Sequence, residues 1–158
     1  MTEVAGDEYG VPMSSLLVIH GPNLNLLGTR EPDVYGASTL ADHIAALTEV
    51  ARTQSMTVTD FQTNSEGDLV NAIHAARGVH QAIIINAGAF THYSWAIHDA
   101  LRSFEGPIVE VHLSNPGARE EFRHVSVLSP VVNGTISGFG GLGYVLAVHA
   151  VATLLKDS

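Results

Sequence analysis

The sequence predicts a doubly wound α/β domain built on an open, parallel sheet of five strands. Three observations carry this expectation. Short apolar runs alternate with segments of helical periodicity, giving the order βαβαβαβ and, after a polar insert, a last βα pair. The run AIIIN at 82–86 is apolar on both faces, as a central parallel strand must be. Polar clusters at 21–25, 86–92 and 112–114 each follow a strand, where an open α/β sheet keeps its ligand crevice.

The elements follow in order. Residues 1–14, MTEVAGDEYGVPMS, are acidic and polar and read as a flexible N-terminal extension to a single domain over 15–158. The first strand is LLVIH (16–20). The stretch GPNLNLLGTREPDVYG is too dense in glycine and proline for a regular element, yet its three leucines predict an ordered, mobile loop. Ser38 or Thr39 can cap a helix whose apolar face carries Leu40, Ile44, Leu47 and Ala51. MTVTDF (56–61) is the second strand. Ser65 with Asp68 forms a capping-box candidate ahead of a stripe of Leu69, Ile73 and Ala76. After AIIIN comes a loop, AGAFTH, then a helix with Ile97, Leu101 and Phe104 inward and the strand PIVEVH (107–112). GTISG (134–138) is the last strand. LGYVLAVHAVATLL (142–155) is a closing helix apolar over much of its circumference, which predicts deep burial or an oligomer contact.

Composition narrows the partners. Seven Lys and Arg stand against sixteen Asp and Glu, a formal net charge of −9, and no basic stripe offsets it, which argues against nucleic acid and anionic membranes. The few arginines Arg30, Arg119 and Arg123 fall in polar, loop-like surroundings suited to a small anion. The chain has no cysteine, which removes thiolate metal ligation and cysteine nucleophiles and fits a cytoplasmic protein. No apolar run approaches the roughly 18 residues of a spanning helix, and no secretory signal is visible.

Two constellations can carry proton transfer. Tyr35 and Arg30 share the first loop; a guanidinium held beside a phenol favours the phenolate, a base able to take a proton from carbon. The alternative is that Tyr35 packs under the loop while Arg30 pairs with Glu31 or Asp33. Glu110 and His112 lie two apart at a strand end, so they share a face and the carboxylate can orient the imidazole. A purely structural pair is the alternative there. Asn86, Thr91 and His92 can hydrogen-bond a polyhydroxylated ligand or cap the next helix, and Arg119 and Arg123 share a face if helical, unless Glu120 and Glu121 neutralise them. Of the nine histidines, His20, His43, His74, His80, His124 and His149 scatter over several elements and read as surface or helix-packing residues rather than metal ligands. GFGGLG at 138–143 lacks both the dinucleotide spacing and a P-loop lysine, and no GxSxG elbow is present.

Five stretches in series, HGPNLNLLGTREPDVYG, FQTNSEGDLVNAIHAA, INAGAFTHYSWAIHDAL, PIVEVHLSNPGAREEFR and LSPVVNGTISGFGGLGYVLA, cover roughly residues 15–155. In that order the sequence resembles a type II 3-dehydroquinate dehydratase. The resemblance implies a flavodoxin-like, three-layer fold with sheet order 2-1-3-4-5, trimers assembled into a dodecamer, and no metal or organic cofactor. It implies reversible trans-dehydration of 3-dehydroquinate to 3-dehydroshikimate through an enolate. In that reading Tyr35 removes the C2 proton, Arg30 keeps it reactive, Asn23 stabilises the enolate, His112 protonates the departing hydroxyl, and Glu110 orients His112. Leu113 and Ser114 receive the substrate carboxylate, Asn86, His92 and Arg123 hold the remaining hydroxyls, and Asp99 is contributed across a trimer interface. Pro116 and Gly117 depart from the aliphatic–histidine pair usual after SN, and His98 stands where arginine is common. These departures predict weaker binding or slower turnover. The rival readings are a flavodoxin-like binding or regulatory domain without turnover, and a relative acting on another β-hydroxy ketone acid.

Overall fold

The computed structural model describes residue 10 and residues 12–158; the expectation of a flexible extension concerns residues that mostly lie outside this range. Five strands, β1 (Ser14–His20), β2 (Met56–Gln62), β3 (Ala82–Asn86), β4 (Ile108–His112) and β5 (Gly134–Ser137), form one sheet in the order β2-β1-β3-β4-β5. Every neighbouring pair is parallel. The predicted order is therefore observed, with β1 starting two residues earlier than expected. The chain leaves β1 toward β2 and returns past it to β3, so the topological switch lies between β1 and β3, where ligands of open α/β sheets bind.

The period of two along each strand divides the side chains between two cores. Leu16, Val18, Ala82, Ile84, Val109 and Val111 pack with Leu47 and Ala51 of α2 (Leu40–Thr53) and with Tyr144, Ala147, Val148 and Val151 of α5 (Leu142–Lys156). Leu17, Ile19, Ile83, Ile85 and Ile108 pack with Leu69 and Ile73 of α3 (Glu66–Ala76) and Ile97 and Leu101 of α4 (Trp95–Arg102). His20 and Asn86 continue the first face; Glu110 and His112 continue the second. This alternation later decides which polar groups can meet.

The helix starts follow their capping chemistry. Thr39 accepts from the Asp42 N–H at 3.2 Å and the Asp42 carboxylate accepts from the Thr39 N–H at 2.8 Å, a complete box. Ser65 accepts from the Asp68 N–H, but its own N–H goes to Thr63 Oγ1, so the expected return bond from Asp68 is not made. One face differs from expectation: His43, Leu47 and Ala51 are the buried residues of α2, while Ile44 sits half-buried at the edge. The first loop is also more regular than expected, with a 3-10 turn at Leu24–Leu26 and a four-residue helix, α1 (Pro32–Tyr35). Leu24 and Leu27 bury themselves and anchor it, whereas Leu26 is exposed. Among the described residues no helix is long and apolar enough to cross a membrane.

Candidate active site

Glu110 is fully buried at the end of β4 and is paired on every side. Its Oε2 accepts from His112 Nε2 at 2.5 Å, Thr91 Oγ1 at 2.8 Å and Ser126 Oγ at 2.9 Å, and its Oε1 accepts from Ser129 Oγ at 3.3 Å. Burial pushes the Glu110 carboxyl up, but the His112 hydrogen bond and charge and the Thr91 and Ser126 hydroxyls outweigh it and hold the group below its ordinary range. With Nε2 tied to the carboxylate, Nδ1 is the His112 nitrogen left for the pocket that this ring lines. The expected face-sharing pair is present. Its serine partners, Ser126 and Ser129, were invisible from spacing because they come from the irregular segment beyond the arginines.

Tyr35 tells a different story. Its hydroxyl accepts from Arg119 Nη1 at 2.8 Å, and the guanidinium carbon lies 5.3 Å from the ring centroid. The expected partner, Arg30, is instead 3.2 Å from Glu31 and well exposed, although it lines the same pocket. The contact to the Tyr35 hydroxyl comes from Arg119, and Arg30 makes the Glu31 pair that the alternative reading anticipated. A positively charged donor at that distance stabilises negative charge on the phenol oxygen. Arg119 also donates to Ser114 Oγ at 3.3 Å, so one guanidinium ties the first loop to the loop after β4. Arg119 and Arg123 do not share a helix; Arg119 caps the 3-10 segment Pro116–Ala118, and Arg123 ends a separate one, Glu121–Arg123. Arg123 Nε sits 2.5 Å from Glu120, the neutralising contact that the alternative reading anticipated.

These groups surround one pocket of about 720 Å³, counting its open mouth, a size suited to a small polar ligand. Asn23, Arg30 and Tyr35 come from the loop after β1, Asn86 and His92 from the end of β3, and His112, Leu113, Ser114, Pro116, Arg119 and Arg123 from β4 onward. Asn23 holds a left-handed backbone (φ 68°), and its N–H donates to Asn64 Oδ1 at 3.0 Å. Gly21 permits the close approach of the first loop to β3: a Cβ there would lie 2.3 Å from the Ala87 carbonyl oxygen. His92 Nδ1 meets the Val125 carbonyl at 2.8 Å, which fixes the proton on Nδ1 and leaves the lone pair of the neutral ring on Nε2. Burial pushes His92 below its ordinary value, only partly offset by that bond. Asn86 Oδ1 accepts from the Gly88 N–H at 3.2 Å and its Nδ2 donates to the Tyr144 hydroxyl at 3.1 Å.

Of the expected residues only Asp99 stands apart; it is exposed on α4 and outside the pocket of its own chain. Pro116 occupies the first turn of a 3-10 segment whose Asn115 side chain caps the Gly117 N–H, a position that suits its fixed φ. His98 Nδ1 meets the Val127 carbonyl at 2.7 Å. Among the described residues no cluster of three or more His, Asp or Glu side chains is arranged to hold a metal.

Comparison with known proteins gives one answer. The family model described as dehydroquinase class II matches residues 14–152. A curated 3-dehydroquinate dehydratase from Ruegeria pomeroyi is 56% identical over 144 residues, 91% of this chain and 97% of its own length. That of Bacillus subtilis is 52% identical over 137 residues, covering 87% and 93%. The crystal structure of a type II dehydroquinase from Propionibacterium acnes superposes with a TM-score of 0.85 at 47% identity, covering 89% of this chain and 98% of that one.

Proposed function

The chain belongs to the class II dehydroquinase family, and we infer from that premise how its pocket performs the dehydration of 3-dehydroquinate to 3-dehydroshikimate. The observation that carries the reading is the meeting in one pocket of two proton-transfer groups held by partners of opposite charge. Tyr35 is held by a guanidinium and His112 by a buried carboxylate.

Tyr35, as phenolate, takes the proton from C2 of the substrate, and the C2–H electron pair moves toward the C3 ketone oxygen to form an enolate. Arg119 holds the phenolate oxygen in place, and Arg30 is the second cation of that loop, exchanging Glu31 for the site as the loop closes over substrate. Asn23 stabilises the enolate oxygen, directly or through one water. His112, as imidazolium with Nε2–H on Glu110, gives its Nδ1 proton to the C1 hydroxyl. The C1–O bond breaks, the enolate pair forms the C1–C2 double bond, and water leaves. Tyr35 ends protonated and His112 neutral; solvent returns the proton. Leu113 and Ser114 receive the substrate carboxylate beside Arg119, and Asn86, His92 and Arg123 hold the non-reacting hydroxyls.

Residues 15–158 are the catalytic domain in this reading, and the assembly is a homo-oligomer of trimers forming a dodecamer. Asp99, exposed outside its own pocket, then reaches the site of a neighbouring copy. Exposed Trp95, Leu142 and Leu146 supply apolar surface suited to such contacts.

The test is an absorbance assay for the conjugated enone of the product, with Tyr35→Phe as control. The wild type is expected to produce the enone and the variant to lose it. Absence of signal from folded wild-type protein at high concentration would favour a binding domain without turnover.

A further inference from the structure

Behind the pocket lies a buried polar chain that the reaction itself does not use. Asn86 Nδ2 donates to the Tyr144 hydroxyl at 3.1 Å, and the same hydroxyl lies 3.1 Å from His20 Nδ1. Tyr144 and His20 are completely shielded from solvent, and their rings meet edge to face. The three residues come from α5, β1 and β3, far apart in sequence, and meet because His20 and Asn86 lie on the sheet face that α5 covers.

One arrangement of the hydrogens gives every donor and acceptor between Asn86, Tyr144 and His20 Nδ1 a partner. Asn86 Oδ1 already accepts from the Gly88 N–H, which assigns the amide nitrogen to Tyr144. The phenol oxygen accepts that bond, and its own O–H finds an acceptor when it points to His20 Nδ1. Nδ1 must then carry the lone pair and the imidazole must be neutral. Both demands agree with burial: desolvation, aided by the nearby His43, pushes His20 down to about 4, and desolvation pushes Tyr144 well above its ordinary value despite the Asn86 bond. The neutral tautomer obliges a proton on Nε2, and that nitrogen is buried without a partner among the described residues. A stranded donor is a cost that packing alone does not explain; a leucine at this position would avoid it.

We propose that Tyr144 and His20 are positioning residues that lock the Asn86 carboxamide in one orientation, so that its remaining hydrogen-bonding capacity faces a substrate hydroxyl with fixed polarity. This rests on the reading that Asn86 holds a non-reacting hydroxyl. Without Tyr144 only the 3.2 Å bond from the Gly88 N–H orients the amide, and the flipped form that presents the wrong atom becomes accessible. A contact to a non-reacting group is made equally in the ground and transition states, so its loss appears in KM and not in kcat.

Steady-state kinetics with 3-dehydroquinate test this. Tyr144→Phe keeps the ring and removes the hydroxyl; KM is expected to rise about tenfold, the scale of one hydrogen bond, with kcat within about threefold. His20→Leu, which cannot accept the phenol proton, should reproduce the rise, and His20→Asn, whose amide oxygen can accept it, should restore a KM near wild type. In an Asn86→Ala background Tyr144→Phe should add nothing. If Tyr144→Phe does not fold, the leucine–asparagine pair at position 20 carries the test. An unchanged KM in Tyr144→Phe, a fall in kcat alone, equal effects of leucine and asparagine, or full additivity with Asn86→Ala overturns the positioning role. Wild-type KM in Asn86→Ala overturns the Asn86 reading itself, and separates that failure from the failure of the chain behind it.

Discussion

Replacing Glu110 with glutamine keeps the shape of the buried side chain and removes only its charge. The consequences can be worked from its partners. Ser126 Oγ already accepts from the Leu128 and Ser129 N–H groups at 3.1 and 3.0 Å, so it can only donate to position 110. Ser126 reaches both carboxylate oxygens, but His112 Nε2 and Thr91 Oγ1 both meet Oε2, so the glutamine oxygen takes that place and receives all three. Three bonds to a charged acceptor become three neutral ones, each weaker by about 1 kcal/mol. Relief of the desolvated charge returns part of that, leaving a net loss of about 2 kcal/mol in stability, or roughly 4–8 °C in Tm for a chain of this size. The His112 imidazolium loses its counter-charge in the same step, so kcat should fall roughly 5- to 30-fold for about 1–2 kcal/mol. The loss of stability also depends on pH. The folded Glu110 carboxyl lies below its ordinary value, so its stabilisation is complete above the unfolded value of about 4.3 and disappears as pH falls through the lower folded value. Glutamine takes up no proton, and the stability gap between the two proteins should narrow below pH ~4. Thermal melts at fixed protein concentration across pH, with enone kinetics at neutral pH, check both parts. A variant with wild-type kcat, or a stability gap that does not change with pH, would refute the reasoning.

Other expectations follow from single contacts. Arg119→Met removes the donor from the Tyr35 hydroxyl; a bond to a charged group is worth about 1.5–3 kcal/mol, so kcat should fall roughly 10- to 150-fold, and an unchanged kcat would remove Arg119 from the mechanism. Gly21→Ala drives a methyl into the Ala87 carbonyl oxygen at 2.3 Å and should cost about 3 kcal/mol in a urea titration, since backbone rather than a side-chain tip must move. His20, neutral when folded, should make the wild type lose about 3 kcal/mol as pH falls from about 6.5 to about 4, because the unfolded chain takes up the proton first. His20→Asn should flatten that window; an identical slope in both proteins would show that His20 does not titrate as its burial requires.

How much of this was legible depends on the range of the contact. Glu110 and His112 could be paired from the sequence because a strand's period of two is local and admits one answer. The placement of Asn86 and His92 followed from strand order for the same reason. Tyr35 was legible as a residue but not in its partner: Arg30 is nearby in sequence, whereas Arg119 arrives over 84 positions along an irregular path. The same distance hid Tyr144. Read along α5 it is one more apolar position, and only the crossing of that helix over β1 and β3 brings its hydroxyl to His20 and Asn86. His43 shows a smaller limit, since helical spacing alone preferred Ile44 for the inward face, while the packing around Tyr144 admits the imidazole. The Pro116–Gly117 departure reads differently in three dimensions, because proline suits the first turn of the segment it occupies.

The central claim is a division of labour, with proton removal by Tyr35 and proton delivery by His112. Exchange of the substrate's C2 hydrogen in deuterated water, followed by NMR alongside enone formation, separates the two steps. His112→Ala should still wash deuterium into C2 while forming almost no enone, and Tyr35→Phe should do neither. Wild-type C2 exchange in Tyr35→Phe would contradict the account.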